Sequence, residues 1–224
     1  EWNDPPDAGR YQSLADEAIR QIIQRGKTPI VVGGTGLYLR SLLFGLANIP
    51  TVPAHVRELL RTELEVHGAD AMYQRLERLD GIAAGRISGG ARNTQRVLRA
   101  LEVAVHTGRP LSSYWAEQSQ AIRYNATILM PEFDTPTLAL RISKRVEYML
   151  SAGLVDEVRE LLSCGVDPTC RAMRSLGYRE VVHHLENNEP LEVTQALIER
   201  GHRRYARRQR TWFKAMDDIH VLDA

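Results

Sequence analysis

The spacing of hydrophobic and polar positions predicts an α/β chain in which a block of helices interrupts a sheet. Apolar residues at helical spacing predict a helix that starts near Ser13 and ends at Gly26. The β-branched run Ile30–Val32 then predicts a buried strand, and a helix beginning near Leu37 follows a glycine-rich turn. Helix, strand and helix in this order are typical of α/β proteins.

Two further apolar runs predict strands at 127–130 and 219–222, whereas the pattern between 51 and 125 is helical throughout. The remaining predicted helices cover 56–67, 72–79, 93–107, 137–151, 155–162, 176–186 and 191–214. We therefore expect an α/β core made of residues 1–50 and 126–224, with an all-helical insertion domain at 51–125.

Three short strands make a small sheet for a chain of 224 residues. The sequence also lacks an initiator Met and begins in a Pro-rich segment that precedes a helix. These features lead to the expectation that the chain is a fragment whose first strands are missing.

The glycine-rich turn Gly33-Gly34-Thr35-Gly36 places bare backbone amides after the predicted strand, where phosphates bind in many α/β proteins. No Lys follows the glycines, so the turn is not the P-loop motif G-x-x-x-x-G-K-[ST]. This turn alone does not distinguish a phosphate cradle from an ordinary tight strand-to-helix connection, so both interpretations stay open.

Composition indicates a soluble globular protein, because 43% of the residues are hydrophobic and no apolar run reaches the length of a membrane span. The start resembles no signal peptide, so we expect a cytoplasmic protein without membrane contact. Cys164 and Cys170 lack the spacing or the paired His residues of a disulfide framework or a zinc site. The sequence therefore predicts no protein metal ligands.

The net charge is only +1, but seven Arg or Lys residues and no acidic residue occur between 200 and 214. Five of them fall on one face of the predicted helix: Arg200, Arg203, Arg204, Arg207 and Lys214. Because we find no carboxylate to pair with them at i+4, we favour binding of small-molecule phosphates or RNA over a solvated surface helix.

A second basic face lies in the predicted insertion, where Arg92, Arg96 and Arg99 share the spacing i, i+4 and i+7. Glu102 follows Arg99 by three residues, so a local ion pair and a contact to RNA are both open for Arg99. Arg96 has no such local partner, which makes it the stronger candidate for a contact to RNA.

Six motifs occur in the order found in one enzyme family, and nearly the whole chain resembles the bacterial tRNA dimethylallyltransferases. The motifs are Gly33-Gly-Thr-Gly-Leu-Tyr38, Gln95-Arg-Val-Leu-Arg-Ala-Leu-Glu-Val103 with Thr107-Gly-Arg-Pro110, Arg141-Ile-Ser-Lys-Arg145, Gly153-Leu-Val-Asp-Glu-Val158, Met173-Arg-Ser-Leu-Gly-Tyr-Arg-Glu180 and Tyr205-Ala-Arg-Arg-Gln-Arg-Thr-Trp-Phe213.

This resemblance implies a P-loop kinase-like core with a helical insertion that clasps the anticodon stem-loop of tRNA. It further implies transfer of a dimethylallyl group from dimethylallyl diphosphate to N6 of the adenosine next to the anticodon, assisted by Mg²⁺. The family's P-loop and general base lie upstream of Glu1, so the catalytic residues stay unknown and the fragment is expected to be inactive alone. We expect a monomer.

The resemblance also suggests residue roles. Positions matching substrate contacts are Gly33, Gly34, Thr35, Gly36, Arg145, Arg174, Tyr178 and Arg208. Positions matching tRNA contacts are Thr35, Arg57, Gln95, Arg96, Arg99 and Arg203. Of these, Thr35 is expected to face the target nucleotide, Arg145 the diphosphate, and Tyr205 and Trp212 to anchor the last helix to the core.

Two alternatives remain open. An adenylate isopentenyltransferase acts on free nucleotides and needs no clamp for an RNA stem, so the two basic helices argue against it. A non-catalytic RNA-binding remnant would keep the basic faces and lack the catalytic motif.

Overall fold

The structure, a computed structural model, describes residues 7–118, 121–216 and 219–223. This part of the chain contains ten α-helices, a short 3-10 helix (Gly90–Arg92) and two β-strands. The helices are α1 (Ala8–Gln24), α2 (Gly36–Phe44), α3 (Ala54–Leu79), α4 (Gly81–Arg86), α5 (Thr94–Thr107), α6 (Leu111–Glu117), α7 (Thr135–Ser151), α8 (Leu154–Ser163), α9 (Tyr178–Asn187) and α10 (Leu191–Phe213). The strands are β1 (Ile128–Glu132) and β2 (Ile219–Asp223). None of the described helices is long and apolar enough to cross a membrane.

The two strands pair in parallel, with Ile128 opposite Ile219 and Glu132 opposite Asp223. Helices α7 to α10 lie between them in the chain, which agrees with the need of parallel strands for a long crossover connection. The fold is therefore mostly helical with a small parallel sheet.

The predicted strand at Ile30–Val32 is wrong. These residues belong to no helix or strand, and Ile30 and Val32 are 84% and 90% exposed. A strand is stable only when its backbone groups pair with a neighbour, and in the described residues β1 and β2 pair with each other. A β-branched composition alone does not supply that partner.

The first helix also begins earlier than the sequence indicated. The Asp7 carboxylate accepts a hydrogen bond from the Arg10 backbone N–H at 2.8 Å, so Asp7 rather than Ser13 caps α1. Ser13 lies inside the helix, where its hydroxyl bonds the Gly9 carbonyl at 3.2 Å. The other predicted helices and the strands at 127–130 and 219–222 are confirmed to within a few residues.

The described chain divides into two compact units, of which the second, Phe44–Arg123, is helical throughout. Helices α3 and α5 pack against each other around Leu60, Leu76 and Leu101, which are fully buried. Gly68 interrupts α3 with φ +79°, a left-handed conformation that favours glycine, and this break separates the two helices that the sequence predicted there.

Two short helices of this unit, α4 and α6, escaped prediction because six and seven residues are too few to show a clear apolar stripe. Asp80 joins them. Its carboxylate is buried and accepts hydrogen bonds from the backbone N–H of Ala83 at 3.0 Å and of Ser112 at 2.8 Å, so one side chain caps the first turns of both helices.

The other unit contains α1, α2, both strands and α7 to α10. Its core consists of buried residues from α7, α8, α9, α10 and the segment before α9: Val146, Leu154, Val158, Met173, Val181, Val182 and Ile198. This core fixes α10 on one side through Ile198, while the C-terminal half of the helix extends beyond it toward the glycine-rich turn.

Asp80→Ala is expected to destabilise the helical unit by about 1–3 kcal/mol, because it leaves the buried Ala83 N–H and the partly buried Ser112 N–H without an acceptor. Amide hydrogen exchange should accelerate at Ala83 and Ser112. The matched control is Asp70→Ala on the exposed surface of α3, which should change stability by less than about 0.5 kcal/mol. Unchanged exchange at both amides would contradict the capping role.

Candidate functional site

A pocket of about 470 Å³ lies between α7 and α10. Helix α7 contributes Leu138, Ile142 and Arg145, and the segment before α9 contributes Leu176. The residues from α10 are His202, Tyr205, Ala206 and Gln209. On both helices the lining positions follow the spacing of one helical face, so each helix presents a continuous stripe to the pocket.

The pocket combines an apolar wall with a polar rim. Leu138, Ile142 and Leu176 provide the apolar surface, whereas Arg145 supplies a positive charge and Gln209 an amide. The Arg145 guanidinium makes no ion pair or hydrogen bond with the described residues and is exposed. Such a surface suits a ligand with a short hydrocarbon part and an anionic part.

A carboxylate holds α7 and α10 together beside the pocket. Glu199 accepts a hydrogen bond from the Ser143 hydroxyl at 2.8 Å and further bonds from Gln195 and Arg203 of its own helix. The hydrogen bond from Ser143, more than any other contact, lowers the pKa of Glu199. The bond between Ser143 and Glu199 joins the two helices that line the pocket.

The glycine-rich turn contacts the same face of α10. The Gly34 carbonyl accepts a hydrogen bond from Gln209 Nε2 at 2.9 Å and lies 3.5 Å from the Tyr205 hydroxyl. A Cβ atom at Gly36 would lie 2.3 Å from the Trp212 ring. The turn therefore approaches α10 more closely than a residue with a side chain would allow at Gly36.

This packing fits the predicted role of Trp212 as an anchor of α10. It supports the same predicted role less well for Tyr205. Trp212 is half-buried against Gly36. Tyr205 is 40% exposed and lines the pocket. Thr35 is exposed, and its carbonyl accepts the N–H groups of Tyr38 and Leu39 at the start of α2.

The other residues that the resemblance assigned to substrate binding do not line this pocket. Tyr178 donates a hydrogen bond to Glu157, which raises the pKa of Tyr178 to about 12. Arg174 is exposed near Asp167, where it helps to lower the pKa of that carboxyl after the bonds from Thr169. Arg208 is exposed on α10.

The helical unit brings two of the predicted tRNA contacts together. Arg57 of α3 and Arg99 of α5 lie 3.7 and 3.2 Å from the same oxygen of Glu102. Of the two alternatives left open for Arg99, the structure shows the ion pair with Glu102. Arg96 is exposed and makes no ion pair with the described residues, and Gln95 beside it is exposed as well. Arg96 therefore keeps its full charge available to a ligand.

The basic stripe of α10 faces solvent at all five predicted positions, but the expectation of unpaired arginines was wrong in part. Glu199, four residues before Arg203, lies 3.1 Å from its guanidinium. Glu132 at the end of β1 pairs with Arg210 at 3.4 Å and with Lys214 at 3.8 Å. Arg200, Arg204 and Arg207 make no ion pair with the described residues.

Sequence reasoning missed His202 and Gln209. Both are single polar residues in a basic segment, and neither belongs to a recognised chemical pair. Their positions three residues before and four residues after Tyr205 put all three on one helical face. That spacing was the available signal, but only the packing of α7 shows that this face lines a pocket.

Within the described ranges, no group of three or more His, Cys, Asp or Glu side chains is arranged to hold a metal ion. Mg²⁺ usually binds through one or two carboxylates together with the phosphates of a substrate, so a cluster of three protein ligands is not required for it. Magnesium stays a prediction.

Comparison with known proteins identifies the family. The sequence profile of the IPP transferase family matches residues 1–216. A protein of Pelobacter propionicus named tRNA dimethylallyltransferase 1 is 46% identical over 98% of this chain and 71% of its own length. The tRNA dimethylallyltransferase of Salinibacter ruber is 40% identical over 97% of this chain and 67% of its own length.

Solved structures agree with the sequence matches. The tRNA isopentenylpyrophosphate transferase of Bacillus halodurans superimposes with a TM-score of 0.66 at 30% identity, covering 100% of this chain and 69% of that protein. A tRNA isopentenylpyrophosphate transferase of Staphylococcus epidermidis gives 0.63 at 34% identity, covering 99% of this chain and 72% of that protein. The fold and sequence together define a prenyl-transferase class, and the chain belongs to the IPP transferase family.

Gly36→Ala is expected to loosen the packing of α10 on the turn by about 1–3 kcal/mol, because the new methyl group overlaps the Trp212 ring. Thermal or urea denaturation followed by Trp fluorescence measures the change. Gly33→Ala is the matched control, since no atom lies within 4 Å of a Cβ placed there.

The penalty of Gly36→Ala should shrink in a Trp212→Ala background, which removes the overlapping ring. Equal penalties in both backgrounds would show that the contact between Gly36 and Trp212 does not restrict the turn.

Proposed function

We propose that this chain contributes to the activity of a tRNA dimethylallyltransferase, which moves a dimethylallyl group from dimethylallyl diphosphate to N6 of the adenosine next to the anticodon. The observation that carries the proposal is family membership over nearly the whole chain, with relatives that bear this name. The pocket between α7 and α10 supports it, because its surface suits a molecule with a short hydrocarbon part and an anionic part.

In this reaction the bond between C1 of the dimethylallyl group and the diphosphate oxygen breaks, and a bond between C1 and the adenine N6 forms. The diphosphate leaves with the electron pair, and N6 loses a proton. A guanidinium near the departing oxygens stabilises the charge that develops on them. Arg145 is the residue of the pocket suited to this role.

The apolar side of the pocket has a separate task. Leu138, Ile142 and Leu176 exclude water from the hydrocarbon part of the donor, which limits hydrolysis of the allylic diphosphate. Gln209 and the Gly34 carbonyl to which it bonds provide the adjoining polar surface. We assign the acceptance of the N6 proton to no residue of this chain.

Binding of tRNA requires positive charge that is not already neutralised by the protein. Among the described residues, this condition is met by Arg96 on α5 and by Arg200, Arg204 and Arg207 on α10. By contrast, Arg57 and Arg99 are paired with Glu102, and Arg203 is paired with Glu199. We propose that the unpaired arginines supply most of the salt-dependent affinity for tRNA. The guanidinium groups of the paired arginines are oriented by Glu102 and Glu199.

The proposal includes the finer expectations drawn from the resemblance: a P-loop kinase-like core, recognition of the anticodon stem-loop, magnesium bound together with the diphosphate, a cytoplasmic location and a monomer. The mostly helical fold and the small parallel sheet are compatible with such a core.

Deleting the gene that encodes this chain from its source organism should remove N6-dimethylallyladenosine and its derivatives from tRNA, as measured by nucleoside mass spectrometry. Restoring the gene should restore the modification, and restoring an Arg145→Ala version should restore less of it. Full modification in the deletion strain would refute the proposed function.

Substrate preference distinguishes the proposed function from that of an adenylate isopentenyltransferase. The protein encoded by the restored gene should modify tRNA and leave AMP unchanged at equal concentrations. Faster turnover of AMP would favour the alternative.

The division of roles between basic residues predicts two different phenotypes. Arg96→Ala should weaken binding of an anticodon stem-loop RNA about threefold to tenfold and reduce the slope of log affinity against log salt by about one, because one phosphate contact is lost. Arg145→Ala should mainly weaken binding of dimethylallyl diphosphate.

Arg75→Ala is the matched control for Arg96→Ala, because Arg75 lies in the same unit but pairs with Glu63. Filter binding at graded salt and calorimetry with the diphosphate measure the two affinities. Similar effects of Arg96→Ala and Arg145→Ala on both ligands would contradict the division.

A further inference from the structure

His202 is a pocket residue with a ring nitrogen that no described residue pairs with. It lies on α10, one helical turn before Tyr205, and lines the pocket with Arg145. Its Nε2 atom is buried and has no hydrogen-bond partner in the part of the chain that the structure describes. A buried polar nitrogen without a partner costs free energy, so its position beside a pocket points to a ligand that pairs with it.

The charges around the imidazole favour its neutral form. Burial lowers the pKa of His202 below its usual value, the Arg145 guanidinium on α7 lowers it further, and Glu180 on α9 opposes the change. Glu180 is itself engaged: it accepts bonds from the Gly177 N–H at 2.8 Å and from Arg179 Nε at 2.6 Å. On α10 itself, Glu199 is held by Ser143 and Arg203.

Among the described residues, Glu180 and Glu199 are thus engaged with other partners, and the Arg145 guanidinium disfavours a proton on His202. An anion bound beside Arg145 favours a proton on His202 in two ways. It neutralises the guanidinium, and its oxygen offers an acceptor to an imidazolium N–H. The pKa of His202 would then rise on binding, so binding would be accompanied by proton uptake.

We propose that His202 is a further substrate-binding residue, which pairs through Nε2 with an oxygen of the diphosphate held at Arg145 and takes up a proton as the ligand binds. This inference rests on the proposed function in that the anion is the diphosphate of the prenyl donor. It adds a residue that makes donor binding depend on pH.

The sign of the effect follows from the two pKa values. In the free protein the pKa of His202 is lowered, so the ring is neutral at pH 7, whereas in the complex it is raised. Between the two values the complex binds more protons than the free protein. The affinity for the diphosphate therefore rises as the pH falls through this range, by at most about tenfold per pH unit for one proton.

Inorganic pyrophosphate is the probe, and isothermal titration calorimetry at pH 6, 7 and 8 measures its affinity for the wild-type chain and for His202→Gln. Wild type should gain at least about threefold more affinity than the variant between pH 8 and pH 6. Titration of pyrophosphate itself is common to both proteins and cancels in the comparison. Repeating the measurement in buffers of different ionisation enthalpy should show greater proton uptake by wild type.

The matched control is His106→Gln, which changes an exposed histidine of α5 in the other unit. It should retain the pH dependence of wild type. Should His202→Gln fail to fold, NMR titration of the histidine ring protons of wild type gives the same information, because pyrophosphate should raise the pKa of His202 and leave that of His106 unchanged.

An anticodon stem-loop RNA forms the second arm of the experiment. If His202→Gln alters the pH dependence of RNA binding and leaves that of pyrophosphate intact, the residue contacts an RNA phosphate and the inference is wrong. Equal pH dependence in wild type and His202→Gln, or no binding of pyrophosphate by wild type, also overturns it. The nucleoside analysis of the deletion strain tests the proposed function independently of these results.

Discussion

The close approach of the glycine-rich turn to α10 is the contact on which the site depends. Gly34 accepts a hydrogen bond from Gln209 through its carbonyl, and Gly36 lies directly against the ring of Trp212. Because a Cβ atom at Gly36 would lie 2.3 Å from the Trp212 ring, glycine is needed for the turn to approach the side chains of α10 this closely. This contact orients the C-terminal half of α10, so that one face lines the pocket and the opposite face carries the basic stripe.

Carboxylates decide which of the many arginines are available to a ligand. Glu102 holds Arg57 and Arg99, and Glu199 holds Arg203 while also bonding Ser143 across the interface between α7 and α10. These pairs join a partly exposed guanidinium to a mostly buried carboxylate, and they restrict the direction of the guanidinium groups. Although the net charge is only +1, the arginines are thus of two kinds. Some are paired with carboxylates, and others have a charge that is available to an anionic partner.

Helical periodicity carried most of the fold prediction, since the long amphipathic helices appear where the apolar stripes placed them. The failures have local causes. Ile30–Val32 has strand composition but no hydrogen-bonding neighbour, the start of α1 depends on a cap at Asp7 that lies before the apolar stripe, and α4 is too short to show a stripe. Among the residues that line the pocket, motif resemblance assigned a role to Arg145, which has recognisable chemistry, but none to His202 or Gln209.

The sequence by itself determined the family, the helical register and the positions of the basic faces, because each is encoded in residue type and spacing along one segment. Only the tertiary structure decided that α7 and α10 line a pocket, that Gly34 bonds Gln209, and that His202 Nε2 is buried without a partner among the described residues. The physical reason is that these properties depend on contacts between residues far apart in the chain. Burial, pairing and the pKa of a side chain are set by the neighbours that folding brings to it, and local pattern does not specify those neighbours.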